Sequence, residues 1–183
     1  RSEVKDWIIA IGFLKVEQMY KNICSLNTNE DTSFLSHKTY ILCSDGDIQE
    51  PVALGAASLA GHWNLKDLTM YYDSNDAQIS GKVSRVDSTD YVSVFEGFGW
   101  HVQLIDGHNH EEIRNSIQKS HVIDKPSLII GKTKIANETA NMEGNHKTHG
   151  APLSFEEIEK TKTKLGLPLE TFYLPKPIIK YFK

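Results

Sequence analysis

The chain has 183 residues, of which 39% are hydrophobic and 24% charged, a composition that fits one globular domain able to bury a core. The formal net charge of −4 argues against a nucleic-acid partner, and the lysines of the last predicted helix alternate with glutamates. No apolar run is long enough to cross a membrane, and the first residues lack the layout of a signal peptide. Two cysteines without the spacing of a metal pair favour a reducing, cytoplasmic compartment.

Helix-like and strand-like patterns alternate along the chain. In order, they predict a helix at 4–23, a strand at 38–43, a helix at 50–62, a strand at 68–72, a helix at 90–98, a strand at 100–105, a helix at 110–121, a strand at 127–133 and a helix opened by a capping box at 154–157. This alternation predicts the α/β class, with a parallel sheet covered by helices on both faces. We expect one domain at 1–167 and a proline-containing tail or linker at 168–183.

Two polar turns directly follow predicted strands. Asp45 and Gly46 come after the run TYILC, and Asn75 lies in the loop that follows LTMYY. Because open α/β sheets bind ligands at the carboxyl ends of their strands, we expect Asp45 and Asn75 to converge on one Mg²⁺ or Ca²⁺. A backbone carbonyl of the second loop and diphosphate oxygens would complete the shell. Such turns are also ordinary connections in α/β domains, and for either loop alone that alternative stays open.

The helix predicted between these two turns supports the same interpretation. It begins at Glu50 and Pro51, with proline in the first helical position and small residues along one face. Its N-terminus would point toward the metal and the phosphates.

The segment Ser44 to Gly81 resembles the thiamine diphosphate motif, and the longer chain resembles the cofactor-diphosphate-binding domain of the transketolase family. The diphosphate motif alone would fit any thiamine-dependent enzyme, whereas HGAPL is more specific to transketolases. The resemblance implies a transketolase-type enzyme, or a fragment or subunit of one, that transfers a two-carbon ketol unit between sugar phosphates. It continues through FEGFGWHV (95–102), LIDGHN (104–109), KPSLIIGKT (125–133) and THGAPLSFEEI (148–158).

The resemblance implies roles for several residues around the cofactor diphosphate. Asp45 and Asn75 match the side-chain metal ligands, and Ala77 matches the residue whose carbonyl is the backbone ligand. Gly46 matches a position where the main chain approaches the diphosphate. The implied cofactors are thiamine diphosphate with Mg²⁺ or Ca²⁺.

Four more residues match positions further from the metal. Ile79 and Ile135 fall where the family packs apolar side chains around the thiazolium ring. His149, in HGAPL, matches a histidine that contacts the diphosphate and lies near the reacting sugar. Glu50 matches a glutamate at the subunit interface, in a hydrogen-bonded link between two active sites. The implied partners are therefore sugar phosphates and either a second copy or a complementary chain with a pyrimidine-binding domain.

The chain also departs from the family pattern. Ser44 replaces the first glycine of the diphosphate motif, Gly55 replaces a second interface glutamate, and Glu138 lies where the family has a glycine-rich loop. Residues 4–6 stand in register with a glycine-rich GQG turn, and the parts that precede this helix and follow the tail in family members are missing. We therefore expect a cofactor-diphosphate domain without its usual N-terminal part, inactive alone, with residues 168–183 leading toward the missing pyrimidine-binding domain.

Other interpretations remain open at this stage. One is a non-catalytic transketolase homologue, favoured by the departures from the family pattern. Another is a different thiamine enzyme, either a deoxyxylulose-phosphate synthase or a 2-oxoacid dehydrogenase subunit, against which HGAPL argues. His146 and His149 suggest a zinc pair, but no third soft ligand lies near them in the sequence.

Overall fold

The computed structural model describes residues 4–27 and 37–183. In chain order its elements are α1 Val4–Asn27, β1 Thr39–Ser44, α2 Asp45–Ile48, α3 Pro51–His62, β2 Leu68–Ser74, α4 Tyr91–Gly97, β3 His101–Asp106, α5 His110–Ser120, β4 Ser127–Lys132, α6 Phe155–Lys164 and α7 Lys176–Tyr181. Two short 3₁₀ turns lie at Val83–Arg85 and His146–Thr148.

The four strands form one sheet in the order β1-β2-β4-β3, and every neighbouring pair is parallel. In this register Ser44 lies opposite Asp73, and Asp73 lies opposite Gly131. Since all strands run the same way, the residues that follow β1, β2 and β4 meet at a single edge. The predicted α/β class with a parallel sheet is confirmed.

One face of the sheet carries the hydrophobic core and is covered by α1, α3 and α4. Alternate residues of β1, β2 and β4 point to this face, as expected from the two-residue period of a strand. Small residues on α3 allow close packing: a Cβ on Gly61 would lie 1.8 Å from the carbonyl oxygen of Phe98, so only glycine fits there. The buried core includes Trp7, Ile11, Leu14, Ile41, Cys43, Ala57, Ala60, Leu68, Met70, Tyr72, Phe95, Trp100, Leu128 and Ile130.

The opposite face of the sheet packs against α5 through polar contacts. Gln103 donates its side-chain amide to the carbonyl of Ser116 at 3.0 Å, and the hydroxyl of Thr69 donates to that of Ser120 at 3.0 Å. Helices therefore cover both faces, as predicted, although Leu42 of β1 is left 73% exposed on this side.

Most predicted elements are present with bounds shifted by one or two residues. The short helix α2 and the terminal helix α7 were not predicted. A four-residue turn such as α2 carries no hydrophobic period, and α7 follows a proline-rich segment without a clear apolar face. The predicted helix after β1 begins at Pro51, as expected, but α2 intervenes between it and the strand, so the helical turn that directly follows β1 is α2 and not α3.

Two predictions concern the ends of the domain and the connection before β1. The predicted connection between α1 and β1 lies largely at residues 28–36, outside the described residues. The boundary between a domain at 1–167 and a tail at 168–183 stays a prediction. Within the described ranges, no helix combines the length and apolarity needed to cross a bilayer.

Candidate metal and diphosphate site

Asp45 is the first residue after β1, and its side chain is only 2% exposed. Its Oδ1 accepts a hydrogen bond from the hydroxyl of Tyr72 at 2.5 Å, and its Oδ2 accepts one from the backbone N–H of Asn75 at 3.2 Å. Among the residues that the structure describes, no lysine, arginine or histidine lies within ion-pair distance of this carboxylate. Asp45 is therefore a buried carboxylate that accepts two hydrogen bonds but has no cationic partner among the described residues.

The pKa of the Asp45 carboxyl is governed first by its burial. Burial raises the pKa of the Asp45 carboxyl, and the nearby Asp73 raises it further. The hydrogen bonds from Tyr72 and from the backbone of Asn75 and Ala77 lower the pKa without cancelling the effect of burial. A bound divalent cation would favour the charged carboxylate, so the residues present fit a metal ion.

Asn75 is oriented by its neighbours at the end of β2. Its Oδ1 accepts from the backbone N–H of Ala77 at 3.0 Å, and its Nδ2 donates to Asp73 at 3.1 Å. The amide nitrogen is thus engaged, whereas the oxygen keeps a lone pair for a cation. Asp76, between Asn75 and Ala77, has a φ of 57°, in the left-handed region. No donor in residues 4–27 or 37–183 reaches the carbonyl oxygen of Ala77.

The turn after β1 leaves space beside the main chain at Gly46. Apart from its neighbours and the backbone of its own helical turn, a Cβ at this position would meet no described atom within 4 Å, so a ligand has room to approach the peptide there. Ser44 does not leave its hydroxyl unpartnered, because both its backbone N–H and its Oγ donate to Asp47, at 2.9 and 2.7 Å.

A cavity of about 530 Å³ opens at this edge of the sheet. Asp45, Tyr72 and Asn75 line it, together with the segment that leads into α4 and the end of β4. Lys132 contributes its ammonium, which donates to the hydroxyl of Ser74 at 2.8 Å. Lys132 is otherwise exposed, and its contact with Ser74 depends on the β2-β4 pairing, in which the two residues lie opposite each other.

The other predicted site residues lie apart from the Asp45–Asn75 pair. Glu50 is the half-buried N-cap of α3, and its side chain makes no capping hydrogen bond. Ile79 is 82% exposed, Ile135 is half-buried, and His149 is exposed directly after the second 3₁₀ turn. In the described ranges, no hydrogen bond or ion pair joins any of these four side chains to the pair. Their roles stay predictions.

The loop after β4 keeps a backbone that favours glycine. Ala136 and Glu138 have φ of 51° and 62°, in the left-handed region where residues with a Cβ are strained. Glu138 is exposed, and its backbone N–H donates to Glu143 at 3.0 Å. This segment therefore adopts a glycine-type conformation without the glycines.

Comparison with known proteins identifies the fold and the motif. The sequence matches the family described as transketolase, thiamine diphosphate binding domain, over residues 10–183. A transketolase of Sinorhizobium medicae is 35% identical over 169 residues, which are 92% of this chain and 24% of the relative. The structure of transketolase from Campylobacter jejuni has a TM-score of 0.87 and 35% identity, covering 97% of this chain and 27% of that one.

A third comparison involves a structure with a bound sugar phosphate. Transketolase from Pichia stipitis, in complex with sedoheptulose-7-phosphate, has a TM-score of 0.75 and 31% identity, over 79% of this chain and 22% of that one. The chain thus spans about a quarter of the length of the relatives it matches. Because the family match covers nearly all of its residues and the fold agrees, this chain belongs to the transketolase family and corresponds to its thiamine diphosphate binding domain.

Proposed function

We propose that this chain binds the diphosphate end of thiamine diphosphate through Mg²⁺ or Ca²⁺. The cation would be held by the side chains of Asp45 and Asn75 and by the carbonyl of Ala77. The observation that carries this proposal is the buried Asp45 carboxylate, which lies beside Asn75 and lacks a cationic partner in the described part of the chain. Carboxylate, amide and carbonyl oxygens are the ligands that these hard cations prefer.

The surrounding residues have complementary tasks in this proposal. Gly46 leaves the peptide after β1 open to phosphate oxygens, and Lys132 adds a positive charge at the same edge. The exposed Ile79 and the half-buried Ile135 offer apolar surface for the ring of the cofactor. When bound, the cofactor supplies the carbanion chemistry, and the protein orients it and handles protons.

The reaction that this site would serve is ketol transfer between sugar phosphates. The family membership supports it, and the Pichia stipitis relative was solved with such a sugar. His149 is the residue of this chain suited to proton transfer or phosphate contact near the sugar, because an exposed imidazole can donate or accept a proton and can donate a hydrogen bond to phosphate.

The active assembly, in this proposal, contains more than one copy or chain. Glu50, whose side chain makes no capping hydrogen bond to α3, would contact the partner subunit of a homodimer, or a complementary chain with the pyrimidine-binding domain. Residues 168–183 would lead from the domain at 1–167 toward that second domain. We place the assembly in the cytoplasm.

Calorimetry of the 183-residue chain with thiamine diphosphate tests the metal site. Binding should be strong in Mg²⁺ or Ca²⁺ relative to binding in excess chelator, since the diphosphate and Asp45 would otherwise repel each other. Asp45→Ala should weaken binding in Mg²⁺ by about 10-fold or more, because it removes the only anionic side-chain ligand proposed. Asp124→Ala, which removes an exposed carboxylate that precedes β4 and does not line this cavity, is a matched surface control. Equal binding with and without chelator would rule out the metal assignment.

A second candidate is a non-catalytic homologue that binds the cofactor without turning it over. The observation that favours it is the turn after β1. Ser44, which replaces the glycine of the family motif, donates its hydroxyl to the carboxylate of Asp47 there. An assembly of this chain with a pyrimidine-binding domain that binds thiamine diphosphate and Mg²⁺, yet shows no ketol transfer, would support this second candidate.

A further inference from the structure

The carboxylate of Asp45 is held from two sides. Tyr72, two residues before the end of the strand β2 and 5% exposed, donates its hydroxyl to Oδ1 at 2.5 Å. The backbone N–H of Asn75 donates to Oδ2 at 3.2 Å. With one donor on each oxygen, the carboxylate plane cannot rotate freely, and each oxygen retains a lone pair directed elsewhere.

The ring of Tyr72 is itself fixed by a second aromatic ring. It packs edge-on against Tyr91 of α4, with centroids 5.9 Å apart and planes inclined by 79°. The hydroxyl of Tyr91 donates to Asp87 at 2.7 Å, and Asp87 also accepts from the backbone and hydroxyl of Thr89. A continuous set of contacts therefore runs from the loop before α4, through two rings, to Asp45.

We propose that Tyr72 is a positioning residue for the cation site: its hydroxyl sets the direction in which Asp45 presents its oxygens to the metal. This inference rests on the proposed function of Asp45 as a metal ligand. Outer partners that orient a ligating carboxylate strengthen metal binding without touching the metal, and their loss costs about 10- to 100-fold in affinity. The Tyr91 ring supports the same arrangement by holding Tyr72 in place.

Tyr72→Phe tests this role because it removes the hydroxyl and keeps the ring. The experiment titrates Mg²⁺ at a fixed, saturating concentration of thiamine diphosphate and measures the half-saturating Mg²⁺ concentration by calorimetry. We expect this concentration to rise about 10-fold in Tyr72→Phe, with full binding recovered at high Mg²⁺. The control is Tyr71→Phe, which removes a half-buried hydroxyl from the adjacent residue on the opposite face of the sheet. It should shift the midpoint less than two-fold.

A purely structural role would give a different result. In that case Tyr72→Phe would lower the melting temperature in chelator, whereas the Mg²⁺ midpoint of the folded fraction would match that of Tyr71→Phe, which would overturn the inference. If Tyr72→Phe does not fold, Tyr91→Leu replaces it, because it removes the supporting ring and should raise the midpoint several-fold; an unchanged midpoint would again contradict the inference. A wild-type chain that shows no Mg²⁺-dependent binding would instead refute the proposed function, and this inference with it.

Discussion

Glu157 of α6 holds Asn141 by two hydrogen bonds, one from the backbone N–H at 2.6 Å and one from the side-chain amide at 2.9 Å. Two further contacts connect the same helix to the same loop: Lys164 donates to the carbonyl of Thr139, and Ala140 donates its N–H to Thr161. The part of the β4–α6 loop that precedes the exposed His149 is therefore attached to α6 by hydrogen bonds.

The first prediction concerns how the stabilisation by the Glu157–Asn141 hydrogen bonds depends on pH. The hydrogen bonds from Asn141 hold the pKa of Glu157 below its usual value of 4.5. Because the folded pKa is lowered, the stabilising contribution is present above pH 4.5 and is lost as the pH falls through the folded pKa. Glu157→Gln should therefore lower the melting temperature near neutral pH and show a smaller further loss between pH 6 and pH 3 than the wild-type chain.

The control for this experiment is Glu159→Gln, on the exposed side of the same helix. It should leave both the melting temperature and its dependence on acid close to those of the wild-type chain. Parallel acid profiles for the wild type and Glu157→Gln would show that the Glu157 charge contributes nothing to loop attachment.

His149 is predicted to act in function rather than in folding. It is exposed, and its backbone N–H donates to the carbonyl of His146 at 2.9 Å, a contact that any side chain would permit. In an active assembly of this chain with a pyrimidine-binding domain, His149→Ala should reduce turnover by about 10-fold or more. The melting temperature should stay within a few degrees of the wild type. A variant that unfolds readily but keeps its activity per folded molecule would make this histidine structural.

The purified 183-residue chain should show no ketol transfer on its own. It spans 24% of the Sinorhizobium medicae relative, and we propose that the group that activates the cofactor lies on a pyrimidine-binding domain outside these 183 residues. The measurement is turnover of xylulose 5-phosphate with ribose 5-phosphate, with thiamine diphosphate and Mg²⁺ present. Activity that appears only when a complementary chain is added would support the assembly; activity of the chain alone would contradict it.

The sequence predicted the central part of the candidate site because that part depends on strand direction alone. Asp45 and Asn75 each follow a strand, and parallel strands bring such residues to one edge. The contact of Tyr72 with Asp45 also needs the exact β1-β2 register, and its packing on Tyr91 needs the position of α4. Contacts between residues distant in sequence leave no periodic signal in one chain, so these partners became known only from the structure.

The last prediction concerns the strained backbone after β4. Ala136 and Glu138 both have positive φ, which costs a residue with a Cβ about 1 kcal/mol or more relative to its relaxed conformation. Glycine avoids this strain but loses about 0.4–1 kcal/mol through the greater entropy of the unfolded chain. The relief of strain should outweigh this loss. Ala136→Gly and Glu138→Gly should therefore each raise the free energy of unfolding by about 0.5 kcal/mol.

The matched control is Ala140→Gly, in the same loop but without a positive φ, where glycine relieves no strain and should destabilise the chain. Urea denaturation measures all three variants, and equal destabilisation of Ala136→Gly and Ala140→Gly would show that the left-handed backbone at Ala136 carries no strain.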